Sequence, residues 1–545
     1  MSGNKALLKK ARQSQIIFDD LAERLNFTPF PTTFVANSER IKQFKKSAKE
    51  HNPYPFPYSL PLAARRKSAI NALLEDEVVL QSPAIAAVLA AISSAAAEIG
   101  TLRGDDTAGC EIYCDVAFAA MQAIRVLMVD YTDKKFQKLR TKSTMSTINA
   151  FDGTVAEGKY LAKDGRHVSF HVYYRSGREK LIKALGFTDS VDSFTDRSRK
   201  KDTVRVQEKV SQKNALELEE LAFSCGASGC MIRSREEWES TDVGKAVKAM
   251  PLIKTTRESD SPAPDWGVPN SRGPLSGIKV LDLTHIIAGP VCSRLLAEYG
   301  ADVLMIRRGT FLEQEQKTTE LDGWAGKHSI QLDFNIPEQL ERAKELIKQA
   351  DVITYSYQHG VLDKFGLSEA DIRRLNPHVI YANLNCFSDT VWQDRPGWAP
   401  LAEDISGLSV RNGGGDLKTP KNLVGVPLDY FPGMILGLGT MLAIAKQIKE
   451  GGGYNVYTSL CRGAQYLHEC SDMAALPSGD AKYSKIAVSS DEPMWDTVNQ
   501  YVSGCAVGGK VGFPTEATVN TAYPFNNRNL IFTDGNTYWK NRKEN

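Results

Sequence analysis

An excess of charge of either sign is what this chain most clearly lacks: 67 basic against 65 acidic residues leave +2 over 545 residues. That balance excludes a dedicated nucleic-acid binder, while leaving room for one basic pocket. Paired cysteines are missing as well. The nine cysteines are odd in number and show no C-x-x-C spacing, which reads as reduced intracellular thiols. Long apolar runs are also absent. The two most apolar windows, 83–97 and 434–445, are short and rich in Ala or Gly, the pattern of buried helices, and no membrane partner is expected. The first residues (MSGNKALLKKARQ) have no apolar signal core, and Lys543-Glu544-Asn545 is not a peroxisomal tripeptide, so the expected setting is cytoplasmic. His167 and His171 could share a strand face, but no third ligand falls in register and no metal is expected. Gly413-Gly414-Gly415 and Gly451-Gly452-Gly453 lack a following G-K-[ST] and read as flexible turns.

What is present is enough chain for two or three domains, with a hydrophobic share of 42%. Residues 255–274 (TTRESDSPAPDWGVPNSRGP) are dense in Pro, Ser, Gly and charge and read as a linker. Before them, 166–174 (RHVSFHVYY) alternates like a half-buried strand, 179–185 reads as a helix closed by Gly186, and 215–225 as another helix. Gly226–Met231 leads into Ser234-Arg235-Glu236-Glu237, a helix start with acidic residues in its first turn. The basic run 197–201 reads as a solvated loop. These features predict a small α+β domain over 151–254. Earlier still, Ser82-Pro83 opens a helix reaching Ile99, and 111–116 follows as a strand within a mainly helical 1–150 segment.

After the linker, 274–308 (PLSGIKVLDLTHIIAGPVCSRLLAEYGADVLMIRR) is the most informative stretch. The near-continuous apolar run 278–283 predicts a strand buried on both faces. A turn, Thr284 to Pro290, follows it. Val291, Leu295, Leu296 and Tyr299 mark one face of a helix that Gly300 stops, and 303–306 is a second strand ending on Arg307-Arg308. In such a β-α-β unit the ligand crevice lies at the carboxyl ends of the strands, where His285 and the two arginines sit. The turn offers one Gly followed by Pro in place of G-x-G-x-x-G, which disfavours hydride transfer with NAD. Further on, Asp429 precedes a helical pattern (Met434, Ile435, Leu438, Leu442), where an Asp caps free N–H groups on local grounds alone. His285, likewise, is a turn His that can satisfy backbone groups.

The pattern Leu275-x-Gly277-x-x-Val280-Leu281-Asp282-x-Thr284-x-x-x-Ala288-Gly289-Pro290 resembles the amino-terminal signature of the family III CoA-transferases, the CaiB/BaiF family. The resemblance continues collinearly through Lys327-His328-Ser329-Ile330-Gln331-Leu332-Asp333, Ala350-Asp351-Val352, 360–366 (GVLDKFG), 375–382 (LNPHVIYA), Gly425-Val426-Pro427-Leu428-Asp429 and 453–460 (GYNVYTSL). More loosely, 217–221 (ELEEL) and 229–232 (GCMI) follow the order of the family's small domain, and 82–116 resembles the helix and strand behind the family's catalytic Asp. The fold this implies is α/β: a Rossmann-like CoA-binding large domain at 275–470 and an α+β small domain at 151–254. Their order is permuted, a partial first copy followed by the front of a second. Residues 471–545 form a tail in which 523–539 resembles the stub of a second small domain.

The resemblance implies an acyl-CoA:carboxylate CoA-transferase, with acyl-CoA and a carboxylic acid acceptor as partners, working as a homodimer. It makes Asp429 the nucleophile and sets His285 in the acyl pocket. Ile287 stands where formyl-CoA transferases have Gln, which favours a more apolar acyl group. Coenzyme A is expected against Ile287, Ala288, Arg308, Leu332, Asn335, Ser356, Tyr357, Lys364 and Asn385, with Arg308 on the nucleotide phosphates. Lys364 replaces an Arg of the family pattern. Two rivals stand beside this reading. One is an α-methylacyl-CoA racemase, in which Glu403 occupies the place of the usual His. The other is a non-catalytic, CoA-transferase-like pseudoenzyme, suggested by the partial first half.

Overall fold

The computed structural model describes residues 2–36, 72–125, 130–131, 156–172, 174–190, 193–194, 199–270, 272–307 and 321–475, with short strands at 488–489, 511–512 and 518–520. In the first half, helix α1 (Ser2–Leu25) and strand β1 (Thr32–Val35) precede helix α2 (Gln81–Leu102), strand β2 (Ile112–Asp115) and helix α3 (Val116–Gln122). β1 and β2 pair in parallel, Thr32 opposite Ile112. α2 is apolar all round and buried along almost its whole length, as expected of a helix with protein on every side.

A small α+β unit follows. Strands β3 (Gly158–Leu161), β4 (His167–Phe170) and β5 (Gly229–Met231) form an antiparallel sheet. Helices α4 (Arg175–Ala184), α5 (Arg199–Val210) and α6 (Ala215–Ser224) cover it, around a core containing Val168, Phe170, Leu181, Val206 and Leu218. Of the basic run expected to be a loop, 199–201 in fact open α5, and 197–198 lie outside the described residues. Val206 and Val210, four residues apart, are fully buried, and that apolar pair decides the helical conformation. Within this unit the Arg233 guanidinium, itself buried, is forked onto Glu219 at 2.6 and 2.8 Å.

The expected linker is another correction at its amino-terminal end. Lys254–Ser259 is a strand, β6, the antiparallel edge of the large sheet, pairing Thr255 with Val456. An edge strand facing water carries polar and charged residues, and that composition is what resembled a linker. The remainder is held as well: Arg103, at the end of α2, donates to the carbonyls of Gly267, Pro274 and Trp266 at 2.6–3.0 Å.

The large sheet is completed by β7 (Lys279–Leu283), β8 (Asp302–Arg307), β9 (His328–Gln331), β10 (Val352–Tyr355), β11 (Ile380–Asn385) and β12 (Gly453–Ser459), in the spatial order β9-β8-β7-β10-β11-β12-β6. All pairs but the last are parallel. Reckoned along the chain the parallel strands run 3-2-1-4-5-6, so the direction of winding reverses between β7 and β10, the point where α/β sheets open a crevice. Helix α7 (Ala288–Glu298) follows β7, starting earlier than the apolar spacing predicts because Ala288, Gly289 and Pro290 make its first turn. Helix α8 (Pro427–Glu450) packs between α7 and α2. Both α2 and α8 are long and apolar enough to cross a bilayer, but here they bury each other.

One buried ionic cluster ties the halves. Arg125, just past α3, donates to Asp322 at 2.5 Å; Asp322 also accepts from Tyr430 in α8 at 3.0 Å and lies 3.9 Å from Arg294. Arg294 and Arg125 both approach Glu298. Burial raises the Asp322 carboxyl, but Arg125 and Arg294 outweigh it and hold it below the usual range.

Candidate active site

The turn after β7 is shaped by Asp282. Its carboxylate accepts from the Thr284 N–H (3.0 Å) and hydroxyl (2.5 Å), from Ser293 (2.7 Å), from Thr354 (3.2 Å) and from the buried Lys327 ammonium (2.6 Å). Burial pushes this carboxyl up, yet Lys327 and the hydroxyls pull it lower still, so it stays ionised. The anchored turn carries Ile286 at φ +66°, a left-handed conformation that a β-branched residue adopts only under constraint, at a cost of about 1–3 kcal/mol. Gly289 approaches Ser356 so closely that a Cβ would stand 2.5 Å from its hydroxyl. The His285 N–H donates to the same hydroxyl at 3.2 Å, bridging the two strand ends at the switch point.

There a cavity of about 350 Å³ opens. Six of the residues singled out from the sequence line it: His285, Ala288, Ser356, Tyr357, Asn385 and Asp429. The His285 ring stacks on Tyr357, centroids 4.3 Å apart and planes within 11°. Burial takes its pKa down to about 4, so the imidazole is neutral, and its Nδ1 has no hydrogen-bond partner. Asp429 lies in the first turn of α8. Burial, with the nearby negative charge of Glu403, raises its carboxyl to about 7. Burial pushes the Cys386 thiol of the same cavity well up, which disfavours its thiolate.

The other predicted residues stand apart. Ile287 is the residue before α7 and its side chain is buried in the core. Leu332 packs in the core on the α/β layer beside β9. Asn335 is exposed and donates to Asp333 at 2.7 Å, and Lys364 is exposed with its ammonium over the Phe365 ring. Arg308 lies outside the described residues. A second cavity, about 510 Å³, shares Tyr357, Asn385 and Gln393 with the first but reaches neither Asp429 nor His285.

Sequence reasoning weighed His171 only as a metal ligand and missed the rest of the opposite wall. His171, Tyr174 and Lys180, from β4's end and α4, and Ser228 face Asp429's cavity, as do Arg395 and Trp398. Tyr174 and Trp398 rings lie 5.6 Å apart, and each is 6.3 Å from His285, giving the cavity an aromatic lining. The alternation of 166–174 was the only signal, and it shows that residues are displayed without showing to what. Glu403, named for the racemase reading, is buried, absent from the cavity lining, and accepts from Asn422 (2.8 Å) and the Leu423 N–H (2.9 Å).

Residues 275–503 match CoA-transferase family III. An acyl-CoA transferase of Gibberella moniliformis is 31% identical over 70% of this chain and 69% of its own length. The succinyl-CoA–L-malate CoA-transferase beta subunit of Chloroflexus aurantiacus is 31% identical, over 36% of this chain and 51% of its own. A solved CaiB/BaiF family protein from Brucella suis is 25% identical over 38% of this chain and 59% of its own, with a TM-score of 0.34. The chain belongs to CoA-transferase family III, a family of enzymes. It spans about two thirds of the first relative and about half of the second.

Proposed function

We propose that the protein moves CoA between carboxylic acids through Asp429. The observation that carries this is Asp429 at a helix start in a cavity shared with the anchored His285 turn and an aromatic wall. The Asp429 carboxylate attacks the thioester carbonyl, giving a mixed anhydride and CoA thiolate. The thiolate then attacks the Asp429 carbonyl, releasing the first acid and leaving an aspartyl-CoA thioester. An acceptor carboxylate reverses the sequence, forming a second anhydride from which thiolate takes the new acyl group and frees Asp429. Every step exchanges one acyl bond for another, so neither metal nor redox partner enters. The first-turn N–H groups of α8 favour the charge that develops beside them.

On this reading coenzyme A runs along Ala288, Ser356, Tyr357 and Asn385, which line the cavity, and its further contacts with Ile287, Arg308, Leu332, Asn335 and Lys364 rest on the family resemblance alone. We also read the order of parts as permuted, with 1–150 a partial copy, 151–254 the small domain, 275–470 the CoA domain and 471–545 the tail. The setting proposed is cytoplasmic, in keeping with free, mostly buried thiols, and the working form a homodimer. The buried, doubly bonded Glu403 weighs against the racemase alternative. Hydroxylamine added during turnover on an acyl-CoA and a free acid tests the nucleophile: wild type is expected to be marked as a hydroxamate at Asp429. Asp429→Asn should stay unmarked and turn over slower by roughly 10⁴-fold or more. Wild-type turnover by Asp429→Asn would return Asp429 to the role of a helix cap.

A further inference from the structure

We propose that the outer end of this cavity is an oxyanion subsite, built by α4 and the 226–228 turn, which holds an anionic group of a substrate away from Asp429. It rests on the transferase reading above and adds to it what the substrate must carry.

Helix α4 opens onto the cavity, and Tyr174, Ser176, Gly177 and Lys180 all line it. Its amino-terminal end carries no side-chain cap hydrogen bond and its first turn has no acidic residue, and this positive end of the helix faces the cavity. Ser228 supplies an independent sign. It is only 3% exposed, lines the same cavity, and its hydroxyl has no hydrogen-bond partner, although its carbonyl accepts from the His171 N–H. A buried hydroxyl left unpaired carries a desolvation cost, which a bound acceptor would remove.

Lys180 completes the set. Its ammonium stands 3.3 Å from where a Cβ on Gly226 would be, and Gly226 has φ +72°, so the turn lets the cation lie against it. The charged side chains lining the cavity are Lys180, Arg395 and Asp429, and only the last is negative. Arg395 is committed: it donates to Glu220 at 2.8 Å and stacks over Phe223 and Trp392. Lys180 makes no ion pair with a described residue. The cavity that holds this cation and Asp429 is also lined by the rings of Tyr174, Trp398 and His285. A substrate with a reacting carboxyl, an apolar middle and a second anionic group matches that set of surfaces. Two sources carry the chemistry: the distal carboxylate of a dicarboxylic acid, or a phosphate of CoA.

Lys180→Met and Ser228→Ala in the full chain test the subsite, with succinate and butyrate as acceptors of equal carbon count. If the occupant is the distal carboxylate, KM for succinate rises about tenfold or more while KM for butyrate and kcat hold within about twofold. If it is a CoA phosphate, KM for the thioester rises with both acids, and the difference disappears with acyl-pantetheine, which lacks the phosphates. Calorimetric titration with succinate and with CoA reads the same affinities without turnover. Absence of transfer in wild type therefore counts against the transferase reading alone, whereas affinities for both ligands unchanged in both variants overturn the subsite.

Discussion

Gly433 sets its bare α-carbon against the carbonyl oxygen of Ala288, with no room for a Cβ between them. That contact lets α7 and α8 cross at their amino-terminal turns, which is what brings the His285 turn and Asp429 to one cavity. Gly433→Ala must push the helices apart. It should cost about 1–3 kcal/mol in urea unfolding. It should also lower kcat by roughly 10–100-fold through misplacement of the nucleophile, with KM for the thioester little changed. An unaltered kcat in a folded variant would show that the crossing does not position Asp429.

The raised Asp429 carboxyl fixes a pH dependence. The attacking form is the anion, so kcat/KM should rise with unit slope below about pH 7 and level above it. The stability effect has the opposite sense. A carboxyl raised from 3.8 to about 7 by folding costs the folded state nothing while protonated in both states, and its penalty grows as pH climbs from about 4 through 7. Asp429→Asn should therefore match wild-type stability near pH 4 and exceed it at pH 8. The cavity admits water, which brings the gain down to the order of 2 kcal/mol. Urea titrations at the two pH values measure it, and a wild type more stable than the variant at pH 8 contradicts the assignment.

Glu403 adds a negative charge near Asp429 and does not line its cavity. Burial raises its own carboxyl to about 7, with Asn422 and the Leu423 N–H pulling back and Asp404 adding to the rise. Glu403→Gln removes one negative charge beside Asp429, so the acid limb of kcat/KM should move to lower pH while transfer persists. In deuterated water, neither wild type nor variant should exchange the α-proton of a chiral 2-methylacyl-CoA without an acceptor acid. Rapid exchange that Glu403→Gln abolishes would favour the racemase instead.

The halves depend on each other through Arg125 and through the cavity wall. Arg125→Met leaves the Asp322 carboxylate buried with the Tyr430 hydroxyl and the more distant Arg294 as its one cation among the described residues, at an expected cost of about 3–5 kcal/mol in denaturant unfolding. A fragment of residues 274–545 lacks Arg125, α2 against α8, and the α4 wall, and should be aggregated or inactive. Full CoA transfer by that fragment would contradict this dependence.

Elements whose pattern is local were legible in the sequence. The apolar run before Thr284 is a strand because a central parallel strand is covered on both faces, and Gly186 and Gly300 end their helices in left-handed backbone. Asp429 and His285 were legible through the family resemblance, since on local grounds alone the first reads as a helix cap and the second as a turn His. The tertiary structure alone decided the rest. Lys254–Ser259 is a strand only because β12 offers it an edge, and its own residues say nothing of that partner. Tyr174, Lys180 and Ser228 meet Asp429 across some two hundred residues of chain or more, and no periodicity spans such a distance. The neutral state of His285 and the raised carboxyl of Asp429 follow from burial, a property of the packed protein and not of the residue type.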